Sequence, residues 1–138
     1  MNWWTSRGPR ESFKRDEQGR LLLQLAAQWG RQVVHVFDRG KALSFWLGLL
    51  FAFTLRFVLR WKKEYHLVDA QGKRQAAWKI ARGKRGGPER TVWDCRRHLW
   101  VQASILALPV RHPDHLEQGL WLVIARRKGS LPWYLLDL

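Results

Sequence analysis

The stretch "RQVVHVFDRGKA", residues 31–42, decides how the chain is read. Val33–Phe37 is a β-branched and aromatic run, too short for a helix and apolar at nearly every position. That is the pattern of a strand buried on both faces, as in a parallel sheet. It ends on Asp38, where Asp-Arg-Gly breaks it. Upstream, from about Glu11, a helix is expected: Leu22, Leu25, Ala26 and Trp29 recur at helical spacing, Gly19 weakens the middle and Gly30 supplies the stop. Downstream, "ALSFWLGLLFAFTL" carries no charge and predicts an apolar helix over residues 42–54, followed by a strand at Phe57–Trp61. Helix, strand, helix, strand in that order implies a parallel αβαβ unit.

The pattern changes after Lys63. "YHLVDAQGKRQAAWKIARG" reads as a hairpin turning through Gly72, and residues 82–90 as a basic loop. Two strands are expected within residues 91–111, "TVWDCRRHLW" and "QASILALPV", then a loop at "HPDHLEQG". "LWLVIARR" reads as a strand, "KGSLP" as a turn and "WYLLDL" as a final strand. Residues 1–9 read as an irregular arm. The expected fold class is therefore α/β plus β, an α/β part over residues 1–63 and an antiparallel β part over 64–138.

At 138 residues the chain has one domain's worth of core, and 46% hydrophobic residues exclude disorder by composition. With 25 Lys+Arg against 11 Asp+Glu the net charge is +14, a field that favours polyanions, nucleic acid before anionic membrane. The single Cys95 excludes a disulfide framework and a thiolate metal cluster, and suits a reducing compartment. The first residues lack the apolar segment of a signal peptide. Ala42–Leu55 falls short of the roughly 20 residues a membrane span needs, so a buried helix is expected there. The ten Trp residues are expected as core or interface anchors.

Ligands of parallel sheets collect at the carboxyl ends of strands, and Asp38 stands at that point. Its residue type fits a Mg²⁺ ligand, but more often such an Asp is a helix N-cap or turn residue. "HPDH" (112–115) is a weak metal motif, Cys95 has no His/Asn constellation, and "RGKRGG" lacks the spacing of a phosphate-binding loop. The basic clusters carry more: Arg60-Trp61-Lys62-Lys63, Arg82-Gly83-Lys84-Arg85, Arg96-Arg97 and Arg126-Arg127-Lys128. All but the second carry or neighbour a Trp, which suits phosphate contacts beside base stacking.

"WWTSRGPR", "GRQVVHVFDRG", "RFVLRWKKEYHLVD", "WKIARGKR", "WDCRR", "LWLVIARRKG" and "PWYLL" follow one another over most of the chain. In that order they resemble DDE transposases of bacterial insertion sequences, of the insertion-sequence-4 type. The resemblance implies a partial RNase-H-like core followed by an antiparallel β insertion region. It implies that Asp38 is the second carboxylate of the D-D-E set, a ligand of Mg²⁺ or Mn²⁺ in strand cleavage and transfer. The family's first Asp would precede "WWTSRGPR" and its Glu would follow "PWYLL", so a truncated copy, inactive alone, is expected. Asp137 stands where the family usually has Thr, and Lys41 where a non-basic residue is common. Rescue of the missing carboxylates would fall to Asp16, Glu17, Asp94 or Asp137. The resemblance further implies contact with transposon-end DNA through Arg60, Lys62, Lys63, Arg82, Lys84, Arg85, Arg126, Arg127 and Lys128, with Trp133 stacking on an unpaired base. Implied partners are DNA and a second copy or a full-length transposase; the implied place is the cytoplasm, at the nucleoid. A non-catalytic DNA- or RNA-binding domain that regulates a full-length element is the alternative, and a peripheral membrane protein using residues 42–58 a third. Without the strands the family places before it, the Val33–Phe37 strand is expected to keep an exposed edge, open to dimerisation or aggregation.

Overall fold

A computed structural model describes residues 11–84, 86–127 and 129–138. The expected arm at residues 1–9, Arg85 and Lys128 lie outside the described residues. The fold is mixed α/β, dominated by an open, mostly antiparallel sheet with a few helices.

Helix α1 runs Glu11–Trp29 and stops at Gly30, whose φ of 56° suits glycine and whose N–H donates to Ala26 O at 3.0 Å. Leu22 is fully buried, with Leu25 and Ala26 packed beside it. Trp29, the fourth member of the expected stripe, is instead about half exposed, at 51%. Strand β1 (Val34–Phe37) leads through a single 3-10 turn at Arg39–Lys41 into α2 (Ser44–Ala52), and β2 (Arg56–Arg60) follows. β1 and β2 are parallel, in register from Val34↔Arg56 to Phe37↔Leu59. α2 buries Trp46, Leu47 and Leu50 against this pair. Nine residues at 1.5 Å each make α2 only about 14 Å long. Among the described residues no helix is long and apolar enough to cross a membrane.

The expectation that β1 is buried on both faces fails. His35 and Phe37 turn towards the core, but Val36 is 76% exposed and Val34 is exposed with it. The helices cover one face only, and among the described residues β1 pairs with β2 alone.

The remaining strands are β3 (His66–Val68), β4 (Arg74–Ala76), β5 (Glu89–Asp94), β6 (Leu99–His112), β7 (His115–Arg127) and β8 (Trp133–Asp137). A short helix, α3 (Ala77–Ala81), follows β4 where the expected hairpin strand would continue. The sheet order is β1-β2-β8-β7-β6-β3-β4, with β5 on the other end of β6. Residues 91–100, expected as one strand, are a hairpin: β5 ends at Asp94, Cys95–His98 turn, and β6 starts at Leu99. The expected loop at "HPDHLEQG" is a tight turn on Pro113 and Asp114, with His112 opposite His115. Pro109 is tolerated inside β6 because it lies between the residues that pair with β5, 99–104, and the contact with β3 at Arg111.

Alternation along these strands sets two faces. Leu120, Leu122 and Ile124 of β7 are buried with Leu136 of β8 and Leu59 of β2, and this face meets the helices. Trp121, between two of them, is 48% exposed on the outer face. Burial of each such Leu contributes about 1.5–3 kcal/mol.

The β6–β7 turn carries a pH-sensitive contact. His112 Nδ1 accepts the Asp114 N–H at 3.0 Å, which requires a neutral ring. Burial holds His112 below the ordinary imidazole value, outweighing the attraction of the Asp114 carboxylate. A group held neutral by folding stabilises above its unfolded pKa and loses that contribution as pH falls below it. Thermal stability should therefore decline as pH falls below about 6.5. Melting curves across the range of about pH 5 to pH 7 should show a smaller decline in His112→Gln.

Two glycines separate conformational need from helix cost. A Cβ on Gly87, at φ 94°, would lie 2.1 Å from Ile105 O, whereas one on Gly19 would meet nothing within 4 Å among the described residues. Gly87→Ala should destabilise by more than about 1 kcal/mol, and Gly19→Ala should stabilise by about 0.5–1 kcal/mol. Denaturant titration measures both.

Candidate nucleic-acid interface

The end of β2 and the start of β8 are pinned together: Trp61 N–H donates to Tyr134 O at 2.8 Å, and Arg60 is in register with Leu135. Because β8 runs antiparallel to β2, its first residue, Trp133, comes to the carboxyl end of the parallel pair. A cleft of about 680 Å³ opens there on the outer face. Among the described residues its cations are Arg39, Arg60, Lys62, Lys63, Arg96 and Arg127, against the single acid Glu64. Glu64 lies 3.9 Å from Lys63, an exposed pair of the kind that contributes little.

Trp133 is 44% exposed in this cleft. The Arg60 guanidinium carbon lies 4.3 Å from its ring centroid and that of Arg127 5.9 Å. Trp78 also lines the cleft, at 38% exposure. Trp61 is buried beneath, and its indole N–H has no partner among the described residues. The arrangement offers cations that hold phosphates next to aromatic faces on which a base can stack.

Asp94 organises one wall. It accepts the N–H groups of Arg96 at 3.0 Å and Arg97 at 3.1 Å, and the Arg127 guanidinium at 2.7 Å. The Arg97 N–H is the main reason its carboxyl sits below the ordinary value, with the Arg96 N–H and the charges of Arg127 and Arg97 adding to it against burial. Arg127 is thereby aimed into the cleft.

The structure brings Arg60, Lys62, Lys63, Arg127 and Trp133 together and separates them from the other expected contacts. Neighbouring residues on a strand face opposite ways, so Arg126 points to the core face while Arg127 faces the cleft. Arg126 donates to Lys84 O at 2.8 Å and Ala81 O at 3.2 Å, and with Lys84 lines a separate hollow. Arg82 is exposed and lines neither. Arg39 and Trp78 were not legible as cleft residues. Arg39 and Trp78 both lie outside the four basic runs.

Asp38 stands at the end of β1 beside this cleft, exposed, its Oδ1 accepting the Gly40 N–H at 2.9 Å. It caps the Arg39–Lys41 turn, and two cationic residues flank Gly40. Of the acids that could have joined it, Asp94 is engaged by Arg127, and Glu17 lies 3.3 Å from Arg20 on α1, the helix that also carries Asp16. Asp137 is in register with Val58 and Trp121, with β2 between it and β1. Among the described residues no three His, Cys, Asp or Glu side chains form a group able to hold a metal ion. The donors around Asp38 do not fit a two-metal centre.

Compared with known protein families and with characterised proteins, the chain matches none.

A cap and a metal ligand respond differently to substitution. Asp38→Asn keeps an acceptor for the Gly40 N–H and should leave stability within about 0.5 kcal/mol, while Asp38→Ala should cost about 0.5–2 kcal/mol. Paired denaturation curves check this. Equal losses in both variants would show that the negative charge, not the cap, is what the fold uses.

Proposed function

We propose that this protein binds DNA through the cleft at the end of β2 and the start of β8, as a transposase-like domain that holds DNA without cutting it. The observation that carries the reading is the meeting of six cations and two exposed tryptophans in one cleft with a single acid. The parallel β1–α2–β2 unit followed by antiparallel strands supports its description as part of an RNase-H-like core with a β insertion. The engagement of Asp38 as a turn cap, and the lack of converging carboxylates among the described residues, favour the regulatory over the catalytic form of this reading. In that form the protein would occupy transposon-end DNA, at the nucleoid, in competition or association with a full-length enzyme.

Phosphate contacts dominate such an interface and make it salt-dependent. Duplex affinity should fall with a slope of about −0.9 in log–log form for each phosphate neutralised. The triple change Arg60→Ala, Lys62→Ala, Lys63→Ala should reduce that slope by about 1 for each lost contact. Trp133→Ala should weaken binding to a DNA end with unpaired bases by about 1–3 kcal/mol, while the melting temperature stays near its original value. Titration over a salt series on unrelated duplexes tests the reading. A flat salt dependence, or an unchanged slope in the triple variant, removes it.

A further inference from the structure

A second aromatic site lies on the other face of the sheet. Trp93 and Trp100 are directly opposite each other on β5 and β6, with ring centroids 5.4 Å apart at 66°. They are 49% and 66% exposed. Cross-strand indole pairs inside a protein are usually covered. Here the same face carries the buried residues Leu120, Leu122 and Ile124 farther along β7, but the pair lies past the part that the helices cover.

The surroundings identify the chemistry of an occupant. Next along the hairpin, Thr91 and Gln102 are also paired, the Gln102 amide donating to Thr91 Oγ1 at 2.9 Å. Beyond them lies the hollow of about 450 Å³ with Lys84 and Arg126 on its walls. From Trp100 to Ser104 is four residues of strand, or about 14 Å. A ligand with flat apolar groups spaced along an anionic chain would meet indole faces at one end, polar groups in the middle and cations at the other, with one carboxylate, Glu89 opposite Ser104, at the edge of the hollow. Unpaired nucleic acid has that make-up, since every base has a stacking face and every linkage a charge. At the hairpin turn, Asp94 is engaged with Arg96, Arg97 and Arg127, so it does not repel a polyanion as a free carboxylate would. Arg96 also lines the cleft, so the turn joins the two faces around the edge of the sheet.

We propose that the Trp93–Trp100 pair is a platform for the bases of a single strand, separate from the cleft and leading to the Lys84–Arg126 hollow. It goes beyond duplex binding: a strand released from a duplex in the cleft would pass the Arg96–Arg97 turn and stack here.

The test uses the full chain and a short oligothymidylate. The double variant Trp93→Ala, Trp100→Ala should bind the oligomer about 5- to 150-fold more weakly, the equivalent of about 1–3 kcal/mol of stacking, and duplex DNA within about twofold of the parent. Trp93→Phe, Trp100→Phe should retain most of the affinity, because a ring remains. An oligomer bearing 5-iodouracil, irradiated with the unaltered protein, should crosslink within residues 89–104, and should still do so in the Arg60→Ala, Lys62→Ala, Lys63→Ala variant. That last result separates this site from the cleft, whose own failure would show as lost salt dependence on duplex. Unchanged oligomer affinity in the double Ala variant overturns the proposal, as does crosslinking confined to other residues. So does a defect seen only in binding to vesicles of anionic lipid, which would make the pair a membrane contact.

Discussion

Strand β2 has two neighbours of opposite direction, and the molecule depends on that arrangement. On one side β1 runs parallel to it, which α2 makes possible by carrying the chain back along the buried face. On the other, β8 runs antiparallel, bringing a segment more than seventy residues later in sequence to the same sheet. Three consequences follow from this one strand. Phe57 and Leu59 are fully buried because both edges of β2 are paired and one face is covered by helix. The carboxyl ends of β1 and β2 meet the beginning of β8 rather than its end. Arg60 and Trp133, which sequence separation would keep apart, are stacked.

The two faces of the sheet then divide the chain's chemistry. Apolar positions of β2, β7 and β8 fall on the helix side, while Arg60, Arg127 and Trp133 fall on the outer side. A two-residue period does this without any long-range signal in the sequence. It also divides the run Arg126-Arg127 between two sites. Counting it as one basic cluster overlooks that consecutive strand residues cannot share a face. By the same rule Trp93 and Asp94 serve opposite faces, one an exposed ring and the other the anchor of Arg127.

Local patterns were readable where local forces decide them. The α1 stripe with its glycine stop, the apolar α2, β2 and the final strand are all marked by residue type and period, and their positions in the structure agree to within a few residues. The β5–β6 hairpin was missed because Asp94 supplies its turn with side-chain acceptors, while Cys-Arg-Arg-His contains neither Gly nor Pro to mark it. The turn at Pro113 and Asp114 is hidden in the sequence by polar His115, Glu117 and Gln118, which continue into β7, where His115 and Gln118 are half-buried and His115 bonds Ser44 O at 2.9 Å. The exposed face of β1 is not marked in the sequence, because Val34 and Val36 are as apolar as Phe37, which turns towards the core. Their exposure follows from the helices covering only one face of the sheet, which is a property of the whole fold. The cleft was half legible: the charged runs named its cations, but only the return of β8 to β2 shows which of them stand together.

The carboxylate that ends β1 belongs to a wider pattern. Asp38 accepts the N–H of Gly40, Asp69 that of Gln71, and Asp94 that of Arg96, in each case two residues on. Asp69 also takes the Lys73 N–H, and Asp94 that of Arg97. Three of a small number of acids are thus directed at backbone donors in turns, where a short side chain with an acceptor satisfies groups that no strand can. An acid used in this way stabilises a turn, its acceptors taken up by backbone donors rather than turned towards the cleft. A chain with 25 Lys+Arg and 11 Asp+Glu already carries an excess, and committing acids to turns concentrates the uncompensated charge at strand ends and in the cleft. The one exception sharpens the point. Asp94 does reach a cleft arginine, Arg127, yet its other bonds hold it in the turn wall, so it orients that cation while remaining out of the space where an anion would lie. Strand ends capped by aspartate are therefore part of how this fold keeps its cationic surface open to a polyanion.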